Sequence, residues 1–488
     1  MIPLTLAEVA QATGGTLFDT PDPQAPVTGP VVHDSREVEP GALFAAVVGE
    51  RVDGHDYAVG AVERGAVAVL ASRRIGVPAV VVDDVVEALG RLAHAVAEKA
   101  AGTTVVALTG SAGKTGTKDL IAQLLQQAGP TVYTLGNANN EIGAPVTALR
   151  LTADTRFLVL EMGARHKGDI AALSAIVPPR IGLVLNVGSA HVGEFGSREA
   201  IAEAKGEMVE GLDPTGVAVL NADDPLVRAM AARTRARVVF FGESPDAQVR
   251  AVDVRLDGTG RPAFTLVTPA GSAPVAMRLY GEHHVSNALA AAAVALECGL
   301  GVAEVAAGLG GAGSLSRWRM ELTERADGVT VVNDAYNANP ESMRAALRAL
   351  AAIGGRGPEA RRTWAVLGEM RELGEDSLAE HDAVGRLAVR LNITTLVAVG
   401  GRDAACMELG ARNEGSWGEE SVLVSDVGAA IGLLRERVRP GDVVLVKASR
   451  SVGLERVAEA LLADAPAAAG GSVSGAPVSN DVVDGASS

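Results

Sequence analysis

Residues 105–115 read Val105-Val106-Ala107-Leu108-Thr109-Gly110-Ser111-Ala112-Gly113-Lys114-Thr115, and Leu120, Ile121, Leu124 and Leu125 follow at helical spacing. An apolar run that breaks into a Gly-rich hexad and resumes as an amphipathic helix is the setting of a phosphate-binding loop. The glycines let backbone N–H groups turn toward phosphate oxygens, and the helix N-terminus adds partial positive charge. Lys114 then reaches the β and γ oxygens, and Thr115 offers a hydroxyl to Mg²⁺. The longer spacing common in GTPases and motors requires Gly at position 108, where this chain has Leu108. The loop therefore reads as a nucleotide site of a different kind.

Downstream of this loop the same grammar repeats. Phe157 to Leu160 ends in Glu161, Leu183 to Leu185 in Asn186, Val217 to Leu220 in Asn221, and Val329 to Val332 in Asn333-Asp334. Ala365 to Leu367 ends in Gly368, Leu396 to Val399 in Gly400-Gly401, and Val443 to Val446 in Lys447. Strands alternating with Ala/Leu-rich helical segments predict an α/β fold with parallel sheets, whose ligands gather at the carboxyl ends of the strands. Before residue 84 the text has more Pro and Gly and little helix, which predicts a separate amino-terminal domain over 1–83. Asp84 reads as the N-cap of a helix with Val85, Leu89, Leu92 and Val96 on one face, opening a central domain over 84–314. A Gly-rich link at 308–314 precedes a carboxyl-terminal domain over 315–463, and the aperiodic Ala/Gly/Ser/Pro stretch 464–488 is expected to be disordered.

The chain has 488 residues, enough for several domains with full cores. Forty-three basic against fifty-nine acidic residues give a net charge of −16, which argues against sequence-independent binding to nucleic acid or anionic lipid. Phosphate must be held locally. Cys298 and Cys406 are the only cysteines, too few for a disulfide framework and better read as buried hydrophobes. The first Lys or Arg is Arg36, and the apolar run Ala288 to Leu296 is far short of a membrane span, so cytoplasm is the expected compartment, with no membrane insertion. Of the basic residues only six are Lys (Lys99, Lys114, Lys118, Lys167, Lys205, Lys447) against thirty-seven Arg. Glu161 closes its strand where an acidic residue can hold Mg²⁺ across from the phosphate loop, although a helix cap is the plainer role. For His191 the plain reading is polar surface or satisfied core; for Lys205, and for Lys99 and Lys118, it is solvated helix surface.

A longer string of motifs carries a resemblance. Thr109 to Thr115, Gly136-Asn137-Ala138-Asn139-Asn140-Glu141-Ile142-Gly143, Glu161-Met162-Gly163-Ala164, Asn186 with His191, and Ala204-Lys205-Gly206-Glu207 are similar to the central domain of the Mur ligases. These are the ATP-dependent amino-acid ligases of peptidoglycan precursor synthesis. The resemblance continues through Gly281-Glu282-His283-His284-Val285-Ser286-Asn287-Ala288, Arg319-Met320-Glu321 and Asn333-Asp334-Ala335-Tyr336-Asn337-Ala338-Asn339-Pro340, covering roughly residues 28 to 460 in order. It implies a three-domain Mur ligase architecture with a central P-loop ATPase-like parallel sheet and a Rossmann-like carboxyl-terminal domain.

Residues 366–374 with His381, and 446–450 with Leu454-Glu455, resemble the branch that adds D-alanyl-D-alanine to a UDP-N-acetylmuramoyl-tripeptide. The diaminopimelate- or lysine-adding branch is the nearest alternative, and this chain lacks the Asp-Asn-Pro-Arg string associated with the diaminopimelate adder. From another class, a nucleotide-dependent switch without ligase activity is disfavoured because a switch needs no acyl-acceptor domain.

Residue by residue, the resemblance implies that Gly110, Ser111, Ala112, Gly113, Lys114, Thr115 and Gly116 cradle ATP and that Thr115 and Glu161 hold Mg²⁺. His191 would serve a second Mg²⁺, and Lys205 would become carbamylated beside it. Asn287 and Asp334 would contact the nucleoside, Asp334 at the ribose, and Arg319 would meet the phosphates across a domain cleft. Lys114, Lys205, His191 and Arg319 form the expected catalytic set. Ser35, Asp53, Gly54 and His55 are expected at the UDP-linked substrate, and Asn137, Asn139, Asn337 and Asn339 as further substrate contacts. Two positions depart from the family pattern: His284 replaces an Asn, and Gly116 replaces a Thr or Ser. No nucleic-acid partner is implied, and a monomer is expected.

Overall fold

A computed structural model of the chain describes residues 1–49, 52–188, 192–355 and 357–464. All eight strands read from the sequence are present, and they fall into two large sheets. The central sheet has nine strands in the order Gly271–Ala276, Pro262–Thr268, Val249–Leu256, Arg237–Gly242, Val217–Asn221, Ile181–Val184, Thr104–Thr109, Phe157–Glu161, Thr131–Tyr133. The strand before the phosphate loop thus lies between the strand ending in Glu161 and the strand that leads to Asn186, with Glu161 opposite Leu108 and Val184 opposite Thr109. Apart from the half-buried Thr104 and Val105 at the start of the central strand, these parallel strands are buried, as a sheet covered on both faces requires.

The sheet is mixed, however, and not parallel throughout. Val249–Leu256, Pro262–Thr268 and Gly271–Ala276 pair antiparallel. Pro262–Thr268 alternates strictly between buried and half-buried residues, the pattern of a sheet with one solvated face. No helix separates these three strands, so a reading keyed to strand-then-helix passes over them.

The amino-terminal sheet runs Thr16–Phe18, Ala79–Val81, Ala68–Ala71, Leu43–Ala45, Val31–Val32. The helix Val85–Lys99 follows it. Asp84 Oδ1 accepts from Val86 N at 2.7 Å and Glu87 N at 2.9 Å, and Val85, Leu89, Leu92 and Val96 are buried as expected. Truncating Leu89 or Leu92 to Ala would cost about 2–5 kcal/mol at such a site.

The carboxyl-terminal sheet runs Glu321–Glu324, Thr330–Asn333, Val443–Lys447, Thr363–Gly368, Thr395–Val399, Ser421–Val424, parallel except for its first pair. Asn333 and Val446 are register partners, which brings Asp334 and Lys447 together at the same strand ends.

Two boundary features differ from expectation. Gly308, Gly310 and Gly311 are not link residues but the end of the helix Val302–Gly311. A Cβ at Gly308 would come within 2.5 Å of Leu124 and Gln127, so glycine there serves close helix packing. At the other boundary Asp464 is paired with Arg435 at 2.7 Å, so it belongs to the described end of the last domain, and the rest of the expected disordered tail lies outside the described residues. No helix among the described residues is long and apolar enough to cross a membrane. The run Ala288 to Leu296 instead sits inside the helix His283–Glu297, most of it fully buried.

Candidate active site

Three neighbouring strand ends build the floor of the site. The phosphate loop turns at Gly113, whose φ of +79° only glycine adopts freely and whose added Cβ would lie 2.6 Å from Asn287 Oδ1. Lys114 then starts the helix Lys114–Gln126, and its Nζ donates to Gly110 O at 2.8 Å. Asn186 is the loop's scaffold: its Oδ1 accepts from Ala112 N at 2.9 Å, its Nδ2 donates to Ala112 O at 3.1 Å, and its backbone O accepts from Ser111 N at 3.1 Å. The sequence marks Asn186 only as a strand terminus; its place one strand over makes it a loop holder.

Glu161 is 2% exposed and lies on the other flank. Its Oε1 accepts from Asn139 Nδ2 at 2.8 Å, while Oε2 is buried with no hydrogen-bond partner among the described residues. A carboxylate oxygen kept dry and unpaired beside a phosphate loop suits a hard divalent cation. The residues present therefore fit Mg²⁺, with Thr115 and Glu161 as its candidate protein ligands. Asn139, expected at substrate, spends its amide on Glu161, and Asn137 is exposed.

Lys205 corrects its plain reading. It lies on the helix Arg198–Glu210 but is only 3% exposed, and no hydrogen-bond or ion-pair partner for it is found among the described residues. Burial, with the Lys114 ammonium nearby as a second cause, lowers its pKa from 10.5 to about 7. The flanking motif explains why the helix stays put. Glu207 accepts from Gly168 N at 2.7 Å and Ala171 N at 3.1 Å, and Arg233 lies across Gly206, donating to Ala202 O and Glu203 O. Lys118 is likewise no surface residue: it is 1% exposed and its Nζ sits 2.6 Å from Asp119. Lys99 is half-exposed and pairs with Glu8 at 2.8 Å. His191 lies outside the described residues.

From the carboxyl-terminal domain, Arg319 crosses to the loop. Its Nη2 donates to Thr115 Oγ1 at 3.3 Å, its guanidinium lies 4.3 Å from the Tyr336 ring centroid, and its Nε is buried without a partner among the described residues. Asn339 caps the helix Pro340–Gly354 through Ser342 N and donates to Ser111 O at 3.2 Å. Both ends of its amide are therefore engaged, one of them on the phosphate loop. Asn337 accepts from Ala338 N through Oδ1 and from Lys447 Nζ through its backbone O. Asp334 likewise uses both oxygens internally, accepting from Met320 N at 3.1 Å and Lys447 Nζ at 2.7 Å.

The two departures from the family pattern turn out to be neighbours. A Cβ at Gly116 would meet Asn287 Nδ2 at 3.4 Å and His284 Cε1 at 3.9 Å, so Gly116 faces the helix His283–Glu297. The larger imidazole stands over the position that lost a side chain. Burial holds both His283, at about 4, and His284 below their ordinary value, so both rings are neutral.

In the amino-terminal domain, Asp53 accepts from His55 N and Arg73 Nη2, and the His55 ring bridges Asp53 Oδ1 at 2.6 Å and Ser72 N at 3.0 Å. A Cβ at Gly54 would strike Val47 O at 2.7 Å. These three residues shape the turn, with the His55 ring nitrogens already occupied, whereas Ser35 is half-exposed on a separate turn capped by Asp34.

Comparison with known proteins accords with this layout. The Mur ligase family catalytic domain matches residues 30–97, the Mur ligase middle domain 108–295, and the Mur ligase glutamate ligase domain 318–450. The UDP-N-acetylmuramoyl-tripeptide–D-alanyl-D-alanine ligase of Mycobacterium leprae is 51% identical over 95% of this chain and 99% of its own. The Escherichia coli enzyme of that name is 36% identical over 94% and 99%. Among solved structures, MurF from Acinetobacter baumannii superposes with a TM-score of 0.84 at 33% identity, covering 95% of this chain and 99% of that one. The MurF ligase from Thermotoga maritima in complex with ADP gives 0.76 at 32% identity, over 90% and 98%.

Proposed function

The chain belongs to the Mur ligase family, and on that footing we propose how its residues divide the work of joining D-alanyl-D-alanine to UDP-N-acetylmuramoyl-tripeptide. It is an ATP-dependent, ADP-forming ligase of peptidoglycan precursor synthesis. The terminal carboxylate of the tripeptide attacks the γ-phosphate of ATP, giving an acyl phosphate and ADP; the dipeptide amine then attacks the acyl carbon, phosphate leaves, and the amide forms. The observation that carries this division is the convergence of Lys114, Thr115 and Glu161 on neighbouring strand ends with Arg319 arriving from the next domain.

A carboxylate approaching a polyphosphate needs concentrated positive charge, which Lys114 and Arg319 supply inside a protein of net charge −16. Thr115 and Glu161 would hold Mg²⁺, which when bound neutralises charge on the transferring phosphoryl group. Asn139 orients Glu161. The carboxyl-terminal domain over the loop keeps water from the acyl phosphate. The cytoplasm, where ATP and nucleotide-linked precursors are present, is the proposed compartment. The tripeptide-linked nucleotide is assigned to the amino-terminal domain around Ser35.

Purified protein is expected to release phosphate from ATP only when UDP-N-acetylmuramoyl-tripeptide and D-alanyl-D-alanine are both present. Turnover with the UDP-linked dipeptide and diaminopimelate or lysine would instead place the chain in the other branch. Oxygen-18 in the tripeptide's terminal carboxylate is expected in the released phosphate, and its absence would remove the acyl-phosphate step. For Asn139→Ala, loss of the bond that aims Glu161 is expected to raise the Mg²⁺ concentration for half-maximal turnover by about tenfold or more. An unchanged Mg²⁺ dependence would separate Glu161 from the metal.

A further inference from the structure

Thr115, Asp119 and Gln123 stand at i, i+4 and i+8 on the phosphate-loop helix Lys114–Gln126, which puts them on one stripe about 6 Å apart. Each meets the segment that joins the central and carboxyl-terminal domains. Gln123 Oε1 accepts from Gly313 N and its Nε2 donates to Gly313 O, both at 3.0 Å. Asp119 Oδ2 accepts from Ser316 N at 3.0 Å. Thr115 Oγ1 accepts from Arg319 Nη2 at 3.3 Å. The linker thus runs antiparallel up the stripe, three linker residues for each helical turn, and delivers Arg319 at the helix N-terminus where phosphate binds.

The middle clip is the most strongly built. Asp119 is 4% exposed and ion-paired with Lys118, itself 1% exposed, whose Nζ also donates to Thr134 O at 2.8 Å and to Ser316 Oγ at 3.4 Å. Beyond it the backbone is forced. Trp318 and Met320, on either side of Arg319, both have left-handed φ, at 58° and 49°, a region bulky side chains rarely occupy. Such a conformation persists only when its surroundings hold it. Met320 N is fixed from the far side by Asp334 Oδ1 and Trp318 N by Glu321 Oε2.

From this stripe we infer that Asp119 and Gln123 are positioning residues that set the linker's register on the phosphate-loop helix and so hold Arg319 at the reacting phosphates. The inference rests on the proposed role of Arg319. A shift of about 1 Å at a reacting group is enough to cost on the order of 100-fold in rate. The clips therefore reach catalysis without touching substrate.

The test is a double-mutant cycle in the full-length enzyme with both peptide substrates, reading kcat, KM for ATP, fluorescent-nucleotide affinity and unfolding midpoint. Gln123→Ala and Asp119→Ala are expected to lower kcat by about tenfold or more while nucleotide affinity changes by less than about threefold, since the loop itself is intact. In the Arg319→Ala enzyme the same substitutions are expected to cause no further loss of kcat, because there is no longer a guanidinium to place. Folded single variants with unchanged kcat would overturn the inference, as would losses that simply add to that of Arg319→Ala. If Asp119→Ala fails to fold because it strands Lys118, Gln123→Ala, which leaves that pair alone, decides between these outcomes. An Arg319→Ala enzyme of normal turnover would overturn the underlying role of Arg319 instead, a different outcome from additivity.

Discussion

Lys205→Arg is expected to lower turnover by at least about 100-fold while leaving ATP affinity much less affected, because the loop residues Lys114 and Thr115 remain. The reason is the large unprotonated fraction of the buried amine. Carbamylation requires an unprotonated nitrogen: the amine attacks CO₂, an N–C bond forms, and the nitrogen loses a proton. An ordinary Lys is almost fully protonated at neutral pH, but burial and the adjacent Lys114 bring the pKa of Lys205 to about 7. The resulting carbamate would be an anion where Arg places a fixed cation. Activity is accordingly expected to rise through about pH 7 and to depend on dissolved CO₂. Added short-chain carboxylic acids are expected to restore part of the activity of Lys205→Ala. Wild-type turnover in Lys205→Arg would sink the carbamate role. Lys99→Arg is the matched control, since Lys99 is on the surface; buried Lys118 is unsuitable.

The same shift carries a stability consequence in the CO₂-free protein. The unfolded chain keeps this proton up to about 10.5, whereas the folded chain has already released it above about 7. The unfolded state therefore binds more protons across that interval, and this group's contribution to stability improves as pH rises through it. Below about 7 the full penalty of a buried charge applies.

Asp334→Ala is expected to destabilise the carboxyl-terminal domain by about 3–5 kcal/mol, read as a lower urea midpoint, because it strands the Lys447 ammonium in a site 1% exposed to solvent. Burial already lowers the Lys447 pKa despite the pull of Asp334 beside it. A paired replacement, Asp334→Leu with Lys447→Met, is expected to recover most of the stability, since an uncharged pair carries no desolvation penalty. It is not expected to recover turnover, because Met320 N would still lack the acceptor that holds the Arg319 segment. An unchanged midpoint in Asp334→Ala would show that the pair contributes nothing to the domain.

The phosphate loop, the eight strands that end in polar clusters, and the Asp84 cap were all legible from residues close together in the chain. Their chemistry is local: glycine permits the turn at Gly113, β-branched runs make strands buried on both faces, and a carboxylate caps the helix two and three residues ahead. Strands with one solvated face and no following helix, as in Pro262–Thr268, lacked that signature. The link expected at 308–314 loses its first four residues to a helix, because a glycine that permits close packing reads the same as one that permits a turn.

The roles of individual polar residues were another matter. Asn139 and Asn339 carry the same side chain within similar motifs, yet one aims Glu161 and the other clips a domain to Ser111. Lys99, Lys118 and Lys205 all lie on helices, yet only Lys99 reaches water, because exposure depends on what packs against the helix face. Arg319 meets Thr115 across 204 residues of chain. Such contacts depend on strand order, helix packing and the path of the linker, which bring into hydrogen-bond range groups whose separation along the chain carries no trace of their proximity.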